Sequence, residues 1–374
     1  MKRPKIAFIY GTRPEIIKLS PIIRTCLKKK IPFFTAHTGQ HYSRRMFSAF
    51  LEELDLPWPD YNLNIRSRAP YRQGDHTGRM MVKIEEILLK ELPSAVLVQG
   101  DTNTVLAGAL ATSKISTTRS FTGFDIKLGH VESGLRSYDR GMPEEINRVM
   151  ADHLSDFLFA PTAKTKKIAV SEGIDPSRIW VTGNTIVDAV EQGLAAGARK
   201  PGALERYGLK KGKYMLLTLH RQENVDDKKR LSGILKGVDR AARECGMPVV
   251  FPIHPRTVKK FKAFGVKPPL SLRIVDPCGF IAFLQMQEGA ALVLTDSGGV
   301  QEEACVLRVP CVTLRDSTER PETVDVGANV VAGVKADPIV SSALEMISKK
   351  RRWKNPFGDG KAGEKIMKVI EKEL

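Results

Sequence analysis

None of the five cysteines stands in a CxxC pair, and Cys26, Cys245, Cys278, Cys305 and Cys311 all fall within apolar segments. This spacing excludes a readable disulfide framework and a Cys/His zinc site, and it suits reduced thiols in the cytoplasm. No apolar run approaches the roughly 20 residues needed to span a bilayer. The basic start "MKRPKIAFIYG" carries only five apolar residues before a glycine, short of a signal-peptide core of about 7 to 15. A cytoplasmic location without membrane insertion is expected. Aromatic residues are scarce, at 7%, and no stripe of lysine and arginine is interleaved with them. The net charge of +17 therefore argues for small anionic partners such as phosphorylated metabolites, and no nucleic acid is expected. G-x-G-x-x-G, the P-loop and G-x-S-x-G are all missing, which removes support for classical dinucleotide binding, ATP binding and serine hydrolysis.

What is present is length and alternation. The 374 residues exceed one typical domain of about 100 to 200 residues, so two domains around one cleft are expected. Short β-rich apolar runs alternate with helical patterns throughout, as in parallel sheets with crossover helices. The strand candidates of the first half are "KIAFIYG", "PFFTAHTG", "SAVLVQGD", "IKLGHVES" and "DFLFAPT". Those of the second half are "YMLLTLH", "VVFPIH", "LRIVDP", "ALVLTD", "PCVTLRD" and "NVVAGV". A hinge region is expected over the stretch from "RIWVTGN" to "AAGARKPGALERYG", where glycine, alanine and proline accumulate. The fold class is α/β, with two Rossmann-like domains facing a central cleft. Ligands of such sheets bind beyond the strand C-termini, and that is where the unusual polar residues lie.

After the first strand, "GTRPEIIKLSP" offers Arg13, Glu15 and Lys18 at a turn whose free backbone N–H groups suit phosphate. A plain helix capped by Thr12 would look the same. "HTGQHY" brings His37, Gln40 and His41. In "QGDTNT", Asp101 reads either as an acid-base group or as the cap of the following helix. "GHVESGLRS" contains His130, Glu132 and Arg136; Glu132 caps no helix, and a carboxylate partly buried at a strand end would hold its proton more readily. "MPEEINR" is a good helix start, with Glu144 one turn from Arg148 and placed to pair with it. "TLHRQEN" and "PIHPRT" set His220 and His254 at strand ends, each followed by an arginine (Arg221, Arg256), an arrangement suited to an anion-binding rim. In "TDSGGVQEEA", Gly298 and Gly299 free N–H groups for phosphate, and a glutamate one turn on suits ribose hydroxyls. "RDSTERPET" adds Arg315, Glu319 and Arg320.

Taken together and in order, "GTRPEIIKLSP", "HTGQHY", "QGDTNTVLAGA", "GHVESGLRS", "MPEEINR", "GNTIVDA", "TLHRQEN", "LTDSGGVQEEA" and "STERPETVDVGAN" resemble the non-hydrolysing UDP-N-acetylglucosamine 2-epimerases. The resemblance implies a fold like the GT-B glycosyltransferases, with a C-terminal helix crossing back to the first domain. The expected domains are residues 1–182 plus 358–374 and residues 183–357. It implies interconversion of UDP-GlcNAc and UDP-ManNAc without cofactor or metal, in a homodimer that feeds cell-surface polysaccharide biosynthesis. In that family UDP is eliminated from C1 to give 2-acetamidoglucal and is added back after C2 is protonated on its opposite face, which calls for more than one acid-base group.

Carried over position by position, Asp101, Glu132, Glu144 and His220 match the catalytic residues, with Arg148 orienting Glu144. Arg13, Lys18, Ser297, Gly298, Gly299, Glu303, Arg320 and Phe280 match the substrate-binding set. Gln40, His41, Gln73, Arg221 and His254 match the region where bacterial members bind a second, activating UDP-GlcNAc. Three features depart from the family: Ser133 in place of the usual alanine, an insertion at 116–125, and the loop "RSRAPYRQGDHTGR" that contains Gln73. The alternatives are a hydrolysing epimerase releasing ManNAc and UDP, an epimerase of a related UDP-diacetamido sugar, and a GT-B glycosyltransferase.

Overall fold

The computed structural model describes residues 4–39, 44–65, 72–117, 123, 125–198 and 202–374. The chain forms two compact units, one of Met1–Ala189 with Phe357–Leu374 and one of Val190–Pro356. The expected Gln40 and His41 contacts, and most of the 116–125 insertion, lie outside the described residues.

The first unit contains a parallel sheet of β1 (Ile6–Tyr10), β2 (Phe33–His37), β3 (Tyr61–Asn62), β4 (Ala95–Gln99), β5 (Lys127–Val131), β6 (Phe157–Ala160) and β7 (Ile179–Val181). Its order is β3-β2-β1-β4-β5-β6-β7. The order reverses at the β1/β4 junction, the switch point beside which doubly wound sheets take ligands. Every residue of β1 and β4 is buried. Helices cover both faces of such a sheet, which is why these strands read as unbroken apolar runs rather than as alternation. Two strands had no clear signature in the sequence. β3 has only two residues, and β7 comes from "RIWVTGN", which the glycine after it made look like a hinge; its Ile179 is buried and its other two residues are not.

The second unit repeats the plan with β8 (Met215–Thr218), β9 (Val249–Pro252), β10 (Leu272–Val275), β11 (Leu292–Thr295), β12 (Cys311–Thr313) and β13 (Asn329–Val331). These are all parallel, in the order β10-β9-β8-β11-β12-β13, with the switch point between β8 and β11. There the hydroxyls of Thr218 and Thr295 share a hydrogen bond of 2.5 Å.

The chain returns to the first unit for its last helix, Ala362–Glu373. The backbone N–H groups of Ala362 and Gly363 donate to the Asp188 carboxylate, an anion at the positive end of the helix. Ile366, Met367 and Ile370 form its buried stripe. Met367 Sδ lies 3.6 Å from Cys26 Sγ on helix Arg13–Lys29, and Lys29 pairs with Glu371 at 2.6 Å. The apolar stripe carries this docking, since an exposed ion pair contributes about 0 to 1 kcal/mol. Ile366→Ala should accordingly cost about 2 to 5 kcal/mol of stability, read from urea unfolding midpoints, whereas Lys29→Ala should cost under about 1 kcal/mol.

Candidate active site

The turn after β1 is built on Glu15. Its carboxylate accepts from the N–H groups of Gly11 (3.0 Å) and Thr12 (2.6 Å) and from the Thr102 hydroxyl (2.8 Å), which lashes the β1 loop to the β4 loop. Burial pushes this carboxyl above its ordinary value, although all of these donors act in the opposite sense. Glu15 is thus a backbone clamp. Arg13, from the same turn, stacks its guanidinium over the Phe50 ring at 5.2 Å.

Lys18 stands one turn further along the helix and is buried, with its ammonium on the Glu132 carboxylate. The same carboxylate oxygen accepts from the Gln99 amide at 2.8 Å. From sequence, Glu132 is expected partly buried at a strand end and Lys18 matches the substrate-binding set; the structure places these two side chains in contact. Gln99 was not foreseen; the signal was a single amide closing the apolar run "AVLVQ". Glu132 also has a left-handed backbone, φ 68°, a conformation that costs a residue with a Cβ roughly 1 to 2 kcal/mol. Its N–H and that of Ser133 both donate to the carbonyl of Phe159, at 3.1 and 3.2 Å.

Asp101 does not cap the helix that follows it. Thr102 takes that role, accepting from Thr104 N–H at 3.2 Å, while the Asp101 carboxylate pairs with Arg148. Arg148 lies on helix Pro143–Leu154, and its other terminal nitrogen donates to Glu145 at 2.7 Å. The expected pairing of Arg148 with Glu144 is therefore corrected. An i,i+3 reach pairs one terminal nitrogen of the buried guanidinium with the buried Glu145, and Glu144 stays half-buried beside it. Glu145 also accepts from Ser137 N–H (2.9 Å), the Ser137 hydroxyl (2.9 Å) and Tyr138 N–H (2.8 Å). Burial alone would raise its carboxyl; the backbone donors and Arg148 more than offset this and hold it below the usual range. Asn147 completes the cluster with bonds to the Asp101 carbonyl (2.9 Å) and to Asn103 (3.1 Å), which in turn donates to Gln73 (2.7 Å).

His37, the last residue of β2, is buried against Phe47 with ring centroids 4.5 Å apart. Burial pushes its imidazole down to about 4.

In the second unit the polar residues gather at the β8/β11 switch point. Asp296 is fully buried and accepts from the N–H groups of His220 (3.0 Å) and Arg221 (2.9 Å), and its other oxygen lies 3.1 Å from His220 Nδ1. Burial would raise this carboxyl, but His220 and the two N–H groups hold it low. A proton on Nδ1 toward Asp296 leaves His220 Nε2 as the outward nitrogen. His254 caps its own helix, accepting from Arg256 N–H at 3.2 Å, and its ring lies 6.4 Å from that of His220. Ser297 precedes helix Gly298–Val306. On that helix Glu303 accepts from Gln287 at 2.6 Å, and Glu302 pairs with Arg320 at 2.5 Å. The guanidinium of Arg320 lies close to Gly298. Phe280 is buried against Gly193. Asp296 is the residue undervalued from sequence, because "TDSGG" reads first as a glycine turn. Among the described residues no cluster of His, Cys, Asp or Glu could hold a metal ion, and no helix is long and apolar enough to cross a membrane.

Two Rossmann-like units, each with its polar residues at the switch point, define a protein of GT-B-like fold. A glycosyltransferase of kitacinnamycin shares that fold at a TM-score of 0.58 and 14% identity, over 100% of this chain and 95% of its own. The family description "UDP-N-acetylglucosamine 2-epimerase" matches residues 26–371. The UDP-N-acetylglucosamine 2-epimerase of Methanocaldococcus jannaschii is 50% identical over 372 residues, 98% of each chain. A crystal structure of the epimerase from that organism, in complex with UDP-GlcNAc and UDP, superposes with a TM-score of 0.90 over 98% of this chain and 99% of its own. The UDP-2,3-diacetamido-2,3-dideoxy-D-glucuronate 2-epimerase of Pseudomonas aeruginosa is 38% identical, over 98% of this chain and 99% of its own. The chain belongs to the UDP-N-acetylglucosamine 2-epimerase family.

The buried His37 gives a direct test of the site's protonation. Its ring should stay neutral on NMR titration down to about pH 5 and protonate only near pH 4. The unfolded chain takes up that proton near pH 6.5, so stability is highest above pH 6.5 and declines by about 2 kcal/mol from pH 7.5 to 5 through this group. A His37 ring already charged at pH 6 would overturn this.

Proposed function

We propose that the protein is an epimerase that interconverts UDP-GlcNAc and UDP-ManNAc, an isomerase needing no cofactor. The observation that carries this reading is the family match along nearly the whole chain. It is supported by three carboxylates supplied from the ends of β4 and β5 and from the helix start at 143.

The chemistry dictates what such a site must do. The C2 hydrogen of the sugar is not adjacent to a carbonyl and is removed only as UDP leaves C1, when oxocarbenium character acidifies it. The resulting 2-acetamidoglucal is protonated on the other face and UDP is added back. Asp101, Glu132 and Glu144 are assigned to the proton transfers and His220 to the leaving or returning phosphate. Glu145 is not assigned a proton, because four donors hold it as an ion. Arg13, Lys18, Ser297, Gly298, Gly299, Phe280, Glu303 and Arg320 are assigned to UDP and sugar. Lys18 supplies an ammonium next to Glu132, where it could follow charge from carboxylate to departing diphosphate. Gln40, His41, Gln73, Arg221 and His254 are assigned to a second UDP-GlcNAc that activates. The functional domains are taken as 1–182 with 358–374 and 183–357, in a cytoplasmic homodimer supplying polysaccharide synthesis.

Incubation with UDP-GlcNAc in D2O, followed by proton and phosphorus NMR, tests the reading. The expected result is an equilibrium with UDP-ManNAc, with deuterium at C2. ManNAc with free UDP would indicate a hydrolysing enzyme, turnover of a UDP-diacetamido uronate alone the related epimerase, and dependence on an acceptor a transferase. Glu132→Gln and Glu144→Gln should each lower kcat by about 10²- to 10⁴-fold with UDP binding retained. Glu145→Gln should instead cost about 3 to 5 kcal/mol of stability, because it leaves Arg148 short of a buried partner; unchanged stability would falsify the assignment of Glu145 as a structural ion.

A further inference from the structure

A second set of charges lies behind the carboxylates of the first unit. His130 and Asp152 are both fully buried, and the Arg136 side chain is 1% exposed. His130 Nδ1 is 2.7 Å from Asp152 Oδ1, and its Nε2 is 2.7 Å from the carbonyl of Gly100. The other oxygen of Asp152 accepts from Arg136 Nη1 (2.7 Å) and from Gly134 N–H (3.0 Å). Arg136 turns its remaining donors to Glu172, through Nε at 2.8 Å and Nη2 at 2.5 Å. Burying three ionisable side chains is costly unless each is paired and hydrogen-bonded, and here each is.

The backbone atoms this cluster grips are the informative part. Gly100 immediately precedes Asp101. Gly134 follows Glu132 by two residues and has a left-handed φ of 78°, with no room for a Cβ, which would come within 2.4 Å of the Thr165 carbonyl. Asp152 belongs to the helix that begins at Pro143 and carries Glu144 and Arg148. One carboxylate and one imidazole therefore tie together the three segments that bear the acid-base groups, and they oppose the relaxation of the strained Glu132 backbone.

We propose that His130, Asp152 and Arg136 are positioning residues for epimerisation, a buried clamp that sets Asp101, Glu132 and Glu144 relative to one another without touching the sugar. The proposal rests on the epimerase reading above. Misplacing catalytic groups by about 1 Å can cost on the order of 10²-fold in rate, so the clamp acts on kcat. Loosening it also lets the eliminated pair, UDP and 2-acetamidoglucal, escape before re-addition.

The test compares wild type with Asp152→Asn, which preserves shape but removes the charge. The readouts are kcat and KM for UDP-GlcNAc, the UDP dissociation constant by calorimetry, the thermal midpoint, and the ratio of free UDP to UDP-ManNAc formed. Assays are run at least about 15 °C below the variant's midpoint, so that lost stability does not pass for lost rate. The expected result is a kcat lowered at least tenfold, with KM and UDP affinity within about threefold and the ratio of free UDP raised. A kcat within twofold of wild type, or a parallel loss of kcat and UDP affinity, would overturn the clamp. If Asp152→Asn does not fold, Arg136→Lys, which keeps the charge but loses the fork to Glu172, is read by the same criteria. Failure of the wild type to form UDP-ManNAc would sink the epimerase reading itself, an outcome separate from both.

Discussion

The buried guanidinium of Arg148 is the point on which the first unit's chemistry turns. One of its terminal nitrogens holds Asp101 and another holds Glu145, which in turn fixes the backbone at Ser137 and Tyr138. A planar fork can serve two carboxylates at once in fixed directions, which a lysine cannot do. The end of β4, the loop after β5 and the start of helix Pro143–Leu154 are thereby set by one side chain. Removing it would leave two carboxylates without their counter-ion, one of them buried, so stability and site geometry depend on the same contact.

The second unit solves the same problem with a different group. Asp296 collects two backbone N–H groups and the ring of His220 at the end of β11. Nearby, Arg315 makes a two-pronged contact with Glu319 (2.8 and 3.0 Å) and reaches Glu223 at 2.8 Å, tying the loop after β12 to the segment that follows His220. Burial would raise the Glu319 carboxyl, yet Arg315 brings it down to about 2. In both units the ions behind the reactive groups are buried and paired with opposite charges. Such a division keeps the working side chains adjustable on a rigid support.

Much of this architecture could be read from the chain because it follows from local rules. Apolar runs ending in glycine or a polar cluster gave eleven of the strands, and the positions just past them gave nearly every candidate residue. Where the reading failed, the deciding interaction was long-range. Arg148 was matched to Glu144 on helical spacing, but the choice between adjacent glutamates is made by burial and by the N–H groups of a loop residues away. Lys18 and Glu132 are separated by 114 positions, and no local pattern announces that they meet. Asp101 was read partly as a cap because Arg148, 47 residues later, could not be seen to claim it. β7 was missed because it is three residues long and shields only one of them.

The return of residues 357–374 to the first unit bears on the order in which the protein is made. Domains tend to fold as units as they emerge from the ribosome. Val190–Pro356 is continuous in sequence and can close on itself once residue 356 is available. The first unit cannot, although most of it is synthesised earlier: helix Arg13–Lys29 keeps part of its apolar face uncovered until Ile366, Met367 and Ile370 arrive. The unit that begins first is thus the one completed last, and for most of synthesis its open face is a surface for chaperones or for misassembly.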